Sequence, residues 1–371
     1  MKALVSITSL FMIVLLSGCL GKSSSSIAPT LAFAYIVGNG ENSVREFTES
    51  SIGDLAALPV PSVATNPRPV SIALHPSKNF LYVTNLTSNT VSGYNIDHTS
   101  GIISPVGTAQ PPTPVQTQPV AVGINAAGTF LYVLNQGSSS ISAFSIDPTH
   151  GLLTQIAGSP FPTAVNPQSM VVSQGASFLY VGNGAGGTIS GFAIAADGTL
   201  AQLAGSPFSA GAGVTAGAMT LDPKGQFLFV ADSANNRVAS LSVASNGVLS
   251  AVAGSPFATG TTPLSIAIDS TSTFLYTANQ GSNNVSGFKI TAGALTEMAG
   301  SPYALVAAGT VLTPQPTFLT VDVSNTFLYV ANTGSQNISA FGIKAADGTL
   351  GLTTNSPFPQ AIAPTWMVTT Q

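Results

Sequence analysis

Side chains that move protons or hold metals are scarce in this 371-residue chain: three histidines (His75, His98 and His150), the lone Cys19, thirteen carboxylates and nine basic residues. Acid–base hydrolysis needs a base beside the attacking water and a donor for the developing oxyanion. The sequence words that usually announce such groups are absent: there is no GxSxG elbow, no HExxH and no GxxxxGKS/T. One cysteine leaves no disulfide and no cysteine-based metal site, and no cofactor is implied. Only 6% of residues are charged against 44% hydrophobic, so Ser, Thr, Asn, Gln and Gly must wet the surface. With a formal net charge of −4 and scattered Lys and Arg, there is no basic stripe for a phosphate backbone, and nucleic acid is not an expected partner.

Whatever chemistry these residues do, a repeat positions them. Phe80–Asn85 spells FLYVTN, and the word returns as FLYVLN at Phe130, FLYVGN at Phe178, FLFVAD at Phe227, FLYTAN at Phe274 and FLYVAN at Phe327. FAYIVGN at Phe33 makes a seventh copy, with steps of 47 to 53 residues. Around each copy lie four short strand-like runs, as in PVAVGIN, TFLYVLN, SISAFSID and GLLTQIAG. Within FLYV the aromatic and aliphatic positions point to opposite faces, yet both are apolar, which predicts a strand sandwiched between two sheets. Asx and Gly residues supply the turns. Seven such units expose apolar ends unless they close into a ring. The first copy lacks a preceding first strand, whereas APTWMVTTQ at the C-terminus matches that slot. The expectation is an all-β, seven-bladed β-propeller of four-stranded antiparallel blades, covering 31–371 and closed by the C-terminal strand.

YVTN at Tyr82–Asn85 and the repeat around it resemble the YVTN and lactonase-type seven-bladed propellers, which include 6-phosphogluconolactonase-like proteins. In such a ring the first strand of each blade lines a central channel. Its mouth carries one repeated slot: Arg68, Gln118, Asn166, Thr215, Thr262, Gln315 and Ala363. The enzymes of this family carry His and Arg slightly further along, where this chain has uncharged pairs such as Val70-Ser71, Gln168-Ser169 and Thr365-Trp366. No catalytic residue is therefore carried over. Ligand-binding candidates at the mouth are Arg68, Gln118, Asn166, Gln168, Gln315 and Trp366. Trp366 either packs within the closing strand or offers a stacking surface to a sugar-like ligand. The histidines fall in turns on the opposite face and read as solvent-exposed. Glu41, Asp232 and Arg237 read as solvated loop charges. Two functions stay open: a binding or interaction module for a glycan, small molecule or envelope protein, and a lactone hydrolase, which the resemblance implies. A purely structural role is a third.

The first residues, MKALVSITSLFMIVLLSGCLGKSSSS, combine a lysine, an apolar run from Ala3 to Leu16 and small residues. That is a secretory signal over 1–18, too short to span a membrane. Leu16-Ser17-Gly18-Cys19 resembles a bacterial lipobox, which implies lipid on Cys19 and a Ser-rich tether over 19–30. The expected address is the cell envelope, with Leu20 after the cysteine favouring the outer membrane, and the expected state is a monomer.

Overall fold

The computed structural model describes residues 32–107, 112–174, 177–306, 313–360 and 362–370; Cys19 and the segments expected to be a signal and a tether lie outside them. The described residues form seven antiparallel sheets. Numbering the blades by their Phe-Leu-Tyr copies, blade 3 runs outward from the axis as Pro119–Ile124, Phe130–Asn135, Ser140–Ile146 and Leu153–Gln155. Blade 1 is composite: Ala363–Thr369 pairs with Ala32–Asn39, which pairs with Ser43–Glu49 and then Leu55–Ala64. Val37 lies opposite Trp366 and Ala34 opposite Thr369. The join is tied by Phe33 N–H donating to Thr370 Oγ1 at 2.9 Å and Thr370 N–H donating to the Phe33 carbonyl at 2.9 Å. The tail thus supplies the inner strand of the first blade, as its sequence predicts.

Six blades carry a fifth strand of two residues, such as Phe161–Pro162, paired to the first half of the third strand. The four-run pattern read from the sequence does not include this fifth strand. A hydrogen-bonding gap explains the break: between the two outer partners one third-strand N–H lacks a ladder acceptor. The Ser of Gly-Ser-Pro fills it, Ser159 Oγ accepting from Ala143 N–H and Ser206 Oγ from Gly191 N–H, both at 2.9 Å.

The Phe-Leu-Tyr word builds the interface between blades. In blade 2, Phe80 and Tyr82 pack toward Leu131, Val133 and Phe144 of blade 3, while Leu81 and Val83 pack back toward Phe33, Tyr35 and Val37 of blade 1. Each buried aromatic of this size contributes about 1.5–3 kcal/mol. The tyrosine adds a directional tie. Tyr35, Tyr82, Tyr132 and Tyr180 donate to the carbonyls of Gly101, Gly151, Gly198 and Gly247 in the next blade at 2.8 to 3.0 Å. Tyr276 reaches Gly348 at 2.7 Å and Tyr329 closes the circle on Gly53 at 3.2 Å. Blade 5 has Phe229 instead, and there Ser240 Oγ donates to Gly293 O at 2.7 Å. All seven glycines have φ between 69° and 83°. Each also lies under the phenylalanine of the preceding blade, so a Cβ at Gly198 would sit 2.6 Å from Phe130. Only glycine satisfies both conditions.

Blade 1 places two carboxylates in these interfaces. Glu46 is buried opposite Tyr35, its Oε1 accepting from Ile103 N–H of blade 2 at 2.8 Å. Burial pushes its carboxyl up to about 6, against the lowering effect of the Ile103 bond. Glu49 accepts from Tyr329 of blade 7 at 2.9 Å, and burial pushes it up to about 7, with the Tyr329 bond opposing and Asp322 assisting.

Two outcomes follow from these interfaces. Gly198→Ala should cost about 1–3 kcal/mol from backbone strain alone, whereas Gly351→Ala, with nothing within 4 Å of its added Cβ, should be close to neutral in urea unfolding. Tyr132→Phe should cost about 1–2 kcal/mol by orphaning the Gly198 carbonyl, and Ala143→Ser should recover part of it, since Ala143 occupies the slot of Ser240. The raised carboxyls also set a pH dependence. Between the ordinary value of 4.5 and about 7 the folded state holds a proton on Glu49 that the unfolded chain releases, so stability falls as pH rises through that window. Glu49→Gln should remove much of the loss between pH 5 and pH 8, on the order of 2 kcal/mol, read as a flattened pH profile of the urea midpoint.

Candidate functional site

The repeated slot at the channel mouth is first a backbone device. Arg68, Gln118, Asn166, Thr262 and Gln315 all adopt φ between 48° and 59°. The slot N–H donates to an Asn of the preceding blade's hairpin: Arg68 to Asn42 at 3.0 Å, Gln118 to Asn89 at 2.9 Å, Thr262 to Asn236 and Gln315 to Asn283 at 2.8 Å. Its carbonyl accepts from the blade's own hairpin, as Arg68 O does from Leu86 N–H at 2.8 Å. A proline follows in most blades and opens the inner strand at a bulge, as Pro69 does. This left-handed corner leaves the side chains of Arg68, Gln118, Asn166 and Gln315 exposed on the rim.

Below the rim the inner strands enclose a cavity of about 520 Å³. Its wall mixes apolar side chains, Val122, Met170, Met219, Ile266, Phe318 and Trp366 among them, with the hydroxyl and amide groups of residues such as Gln168, Ser169, Thr220 and Thr320. Among the described residues, none of the side chains lining it is ionisable. Of the mouth candidates, Gln168 and Trp366 line this bore, and the four rim residues do not. Trp366 stacks on Phe318 of blade 7 with ring centroids 4.4 Å apart and planes 24° from parallel. It is half-buried, so it packs at the ring closure and still turns surface to the cavity. Phe318 joins it in a two-ring platform that the sequence reading did not single out. Inner-strand serines stitch neighbouring blades beside the bore: Ser71 Oγ accepts from Val122 N–H at 3.3 Å, Ser265 Oγ from Leu319 N–H at 3.1 Å, and Ser169 Oγ donates to Gly217 O at 2.5 Å. A second cavity, of about 550 Å³, opens on the far face and shares Met170, with His75 and Lys78 at its edge.

Glu41, Asp232 and Arg237, beside the mouth, are paired, whereas the Arg68 side chain stays exposed on the rim. Glu41 pairs with Arg45 at 2.7 Å on the hairpin whose Asn42 holds Arg68. Asp232 corrects the expectation of a solvated charge: it is fully buried at the end of its strand, in the slot that Asn85, Asn135 and Asn332 fill elsewhere. It accepts from Thr215, Asn235 and Arg237, the last at 2.7 Å. Burial acts to raise its carboxyl, but the bonds from Thr215, Arg237 and Asn235 outweigh it and hold the group below the usual range. An aspartate so saturated is a structural strut. His75 also departs from expectation. It is buried, its Nε2 within 2.8 Å of Gly128 O in blade 3 and its Nδ1 accepting from Ser77 N–H at 3.1 Å, with Phe80 edge-on at 5.6 Å. Asp222, Asp269 and Asp322, in the same slot, are likewise buried and cap the next strand's N–H groups. The turn at this slot needs an inward acceptor, which a reading by residue type misses. His98 and His150 are exposed, bonded to Asn79 and Asp147.

The fold recurs among solved structures. A 6-phosphogluconolactonase candidate from Bacteroides uniformis superposes with a TM-score of 0.77 at 16% identity, covering 92% of this chain and 99% of that one. A periplasmic gluconolactonase of Pseudomonas aeruginosa superposes with a TM-score of 0.71 at 16% identity, covering 91% of this chain and 99% of that one. At such identities the likeness is one of fold. No curated protein matches the chain. The model of the family described as Lactonase, 7-bladed beta-propeller matches residues 24–215 and 170–308. Its matched span takes in most of the blades described above, and the chain belongs to that family of seven-bladed lactonase-type propellers.

Proposed function

We propose that the protein is a binding module of the cell envelope, exported and held to a membrane by lipid on Cys19, whose axial bore takes a neutral ligand. The observation that carries this is the absence of any ionisable side chain among those lining the bore. A wall of this kind desolvates a charge without compensating it, so it selects against anions such as sugar phosphates. Apolar or ring surface is favoured below the rim, against Phe318 and Trp366, and hydroxyl or carbonyl groups are favoured near Gln168 and Ser169. The described chain starts at Ala32 on the face opposite the mouth.

A second reading, lactone hydrolysis, has support in the family and in the names of its structural relatives. Its best machinery here is Arg68 as oxyanion donor and Glu41 as base, which share one part of the rim through Asn42. The two readings separate in one experiment. The purified protein is offered δ-decalactone, gluconolactone and 6-phosphogluconolactone, with turnover followed by acid release and binding by fluorescence of Trp366, the only tryptophan. Binding of δ-decalactone without turnover, weakened roughly tenfold by Phe318→Ala, supports the module. Hydrolysis that disappears in Arg68→Ala or Glu41→Gln replaces it with the enzyme. In cells, Cys19→Ser should move the protein from the membrane to the soluble fraction, and membrane retention of that variant would refute the lipid anchor.

A further inference from the structure

Six of the seven blades share the two-residue outer strand, so a departure in one of those six is informative. In blades 3 to 7 the two-residue outer strand carries an aromatic ring: Phe161 opposite Ile141, Phe208 opposite Ile189, Phe257 opposite Val238, Tyr303 opposite Val285 and Phe358 opposite Ile338. The ring covers the small residue two positions along the third strand. A Cβ added at Gly191 would lie 2.8 Å from Phe208, and one at Gly287 would lie 3.0 Å from Tyr303. Blade 2 lacks this plug. Thr113 stands opposite Val91 in the ring's place, and the atoms nearest an added Cβ at Gly93 belong to Tyr82 and Val106. Residues 108–111, which lead to this strand, lie outside the described residues and are Thr, Ala, Gln and Pro, with no ring among them. Where the ring would sit there is a cavity of about 320 Å³ whose wall includes Tyr82, Val91, Tyr94, Val106 and Leu152.

We propose that this cavity is a second ligand site, separate from the bore, for a small uncharged aromatic molecule of the phenol or indole class. The occupant follows from the sibling blades, where the equivalent walls close on a phenylalanine or, once, a tyrosine. Apolar cavities of about 150 Å³ already take up benzene. The site also offers acceptors for one ring O–H or N–H: the carbonyls of Ala64 and Gly151 each take a tyrosine hydroxyl, from Tyr94 and Tyr82 at 2.8 Å, and each carbonyl has a second lone pair. Among the described residues, Tyr94 and Tyr82 are the only titratable groups of the wall, and burial holds the Tyr94 hydroxyl up at about 12, so these groups are neutral at physiological pH. A peptide cannot deliver the ring by strand addition here, because Thr113–Pro114 already pair with the third strand.

The test is titration of the whole protein with indole and with phenol, followed by amide shifts in 1H–15N spectra. The expected result is saturable shifts at Gly93 and Leu152. Thr113→Phe, which restores the sibling plug, should weaken binding by at least about tenfold and raise the melting temperature. Thr113→Leu, a smaller plug, should weaken it less and serves if the phenylalanine variant does not fold. The reciprocal Phe161→Thr should open an equivalent site reported by Ala143. Shifts confined to the bore, shifts unchanged in both Thr113 variants, or no saturable shift with either probe would overturn the proposal.

Discussion

The contact between blades constrains everything else in this molecule. Each Phe-Leu-Tyr strand spends one face on the following blade and the other on the preceding one, and its tyrosine hydroxyl must find the carbonyl of a left-handed glycine across the gap. Both faces of the second strand are therefore unavailable for function. The first strand, which borders the axis, and the hairpins at the mouth are the surfaces that remain free to vary. Blade 5 shows how strict the tie is: when the tyrosine becomes Phe229, a serine on the neighbouring strand replaces the hydroxyl.

The bore inherits its character from this arrangement. Inner-strand serines such as Ser71 and Ser265 bond into the seams between blades, and the surface of the cavity joins aliphatic, thioether and aromatic groups to uncharged hydroxyls and the Gln168 amide. The charged groups nearby serve the scaffold. Asp232 with Arg237 replaces an asparagine-centred hairpin network, and Glu41 with Arg45 braces the hairpin that holds Arg68. The ring is that of the lactonase family, while the described side chains lining the bore carry no ionisable group.

Much of the ring was legible in the residues because the repeat states it many times over. The alternation in FLYV foretold strands buried on both faces, and the missing first strand of blade 1 foretold that Trp366 and its neighbours would close the circle. Single positions were harder. His75 and Asp232 look like surface groups by type, but each is drawn inward to a partner that only the assembled ring defines, the Gly128 carbonyl for His75 and the Thr215 N–H for Asp232. Arg68, Gln118 and Gln315 share a slot because the backbone there turns left-handed, a requirement that their side-chain chemistry does not reveal. The platform joins Phe318 to Trp366, 48 residues further along the chain, and the void beside Thr113 is visible only against its five aromatic siblings.

The central claim, that the bore recognises its ligand without any group that gains or loses a proton, is most directly tested by calorimetry. Binding of δ-decalactone at pH 7 would be measured in two buffers of widely different ionisation enthalpy and at several temperatures. The account predicts the same enthalpy in both buffers and a negative heat-capacity change from apolar burial. An enthalpy that tracks the buffer would reveal proton transfer at the site and contradict it.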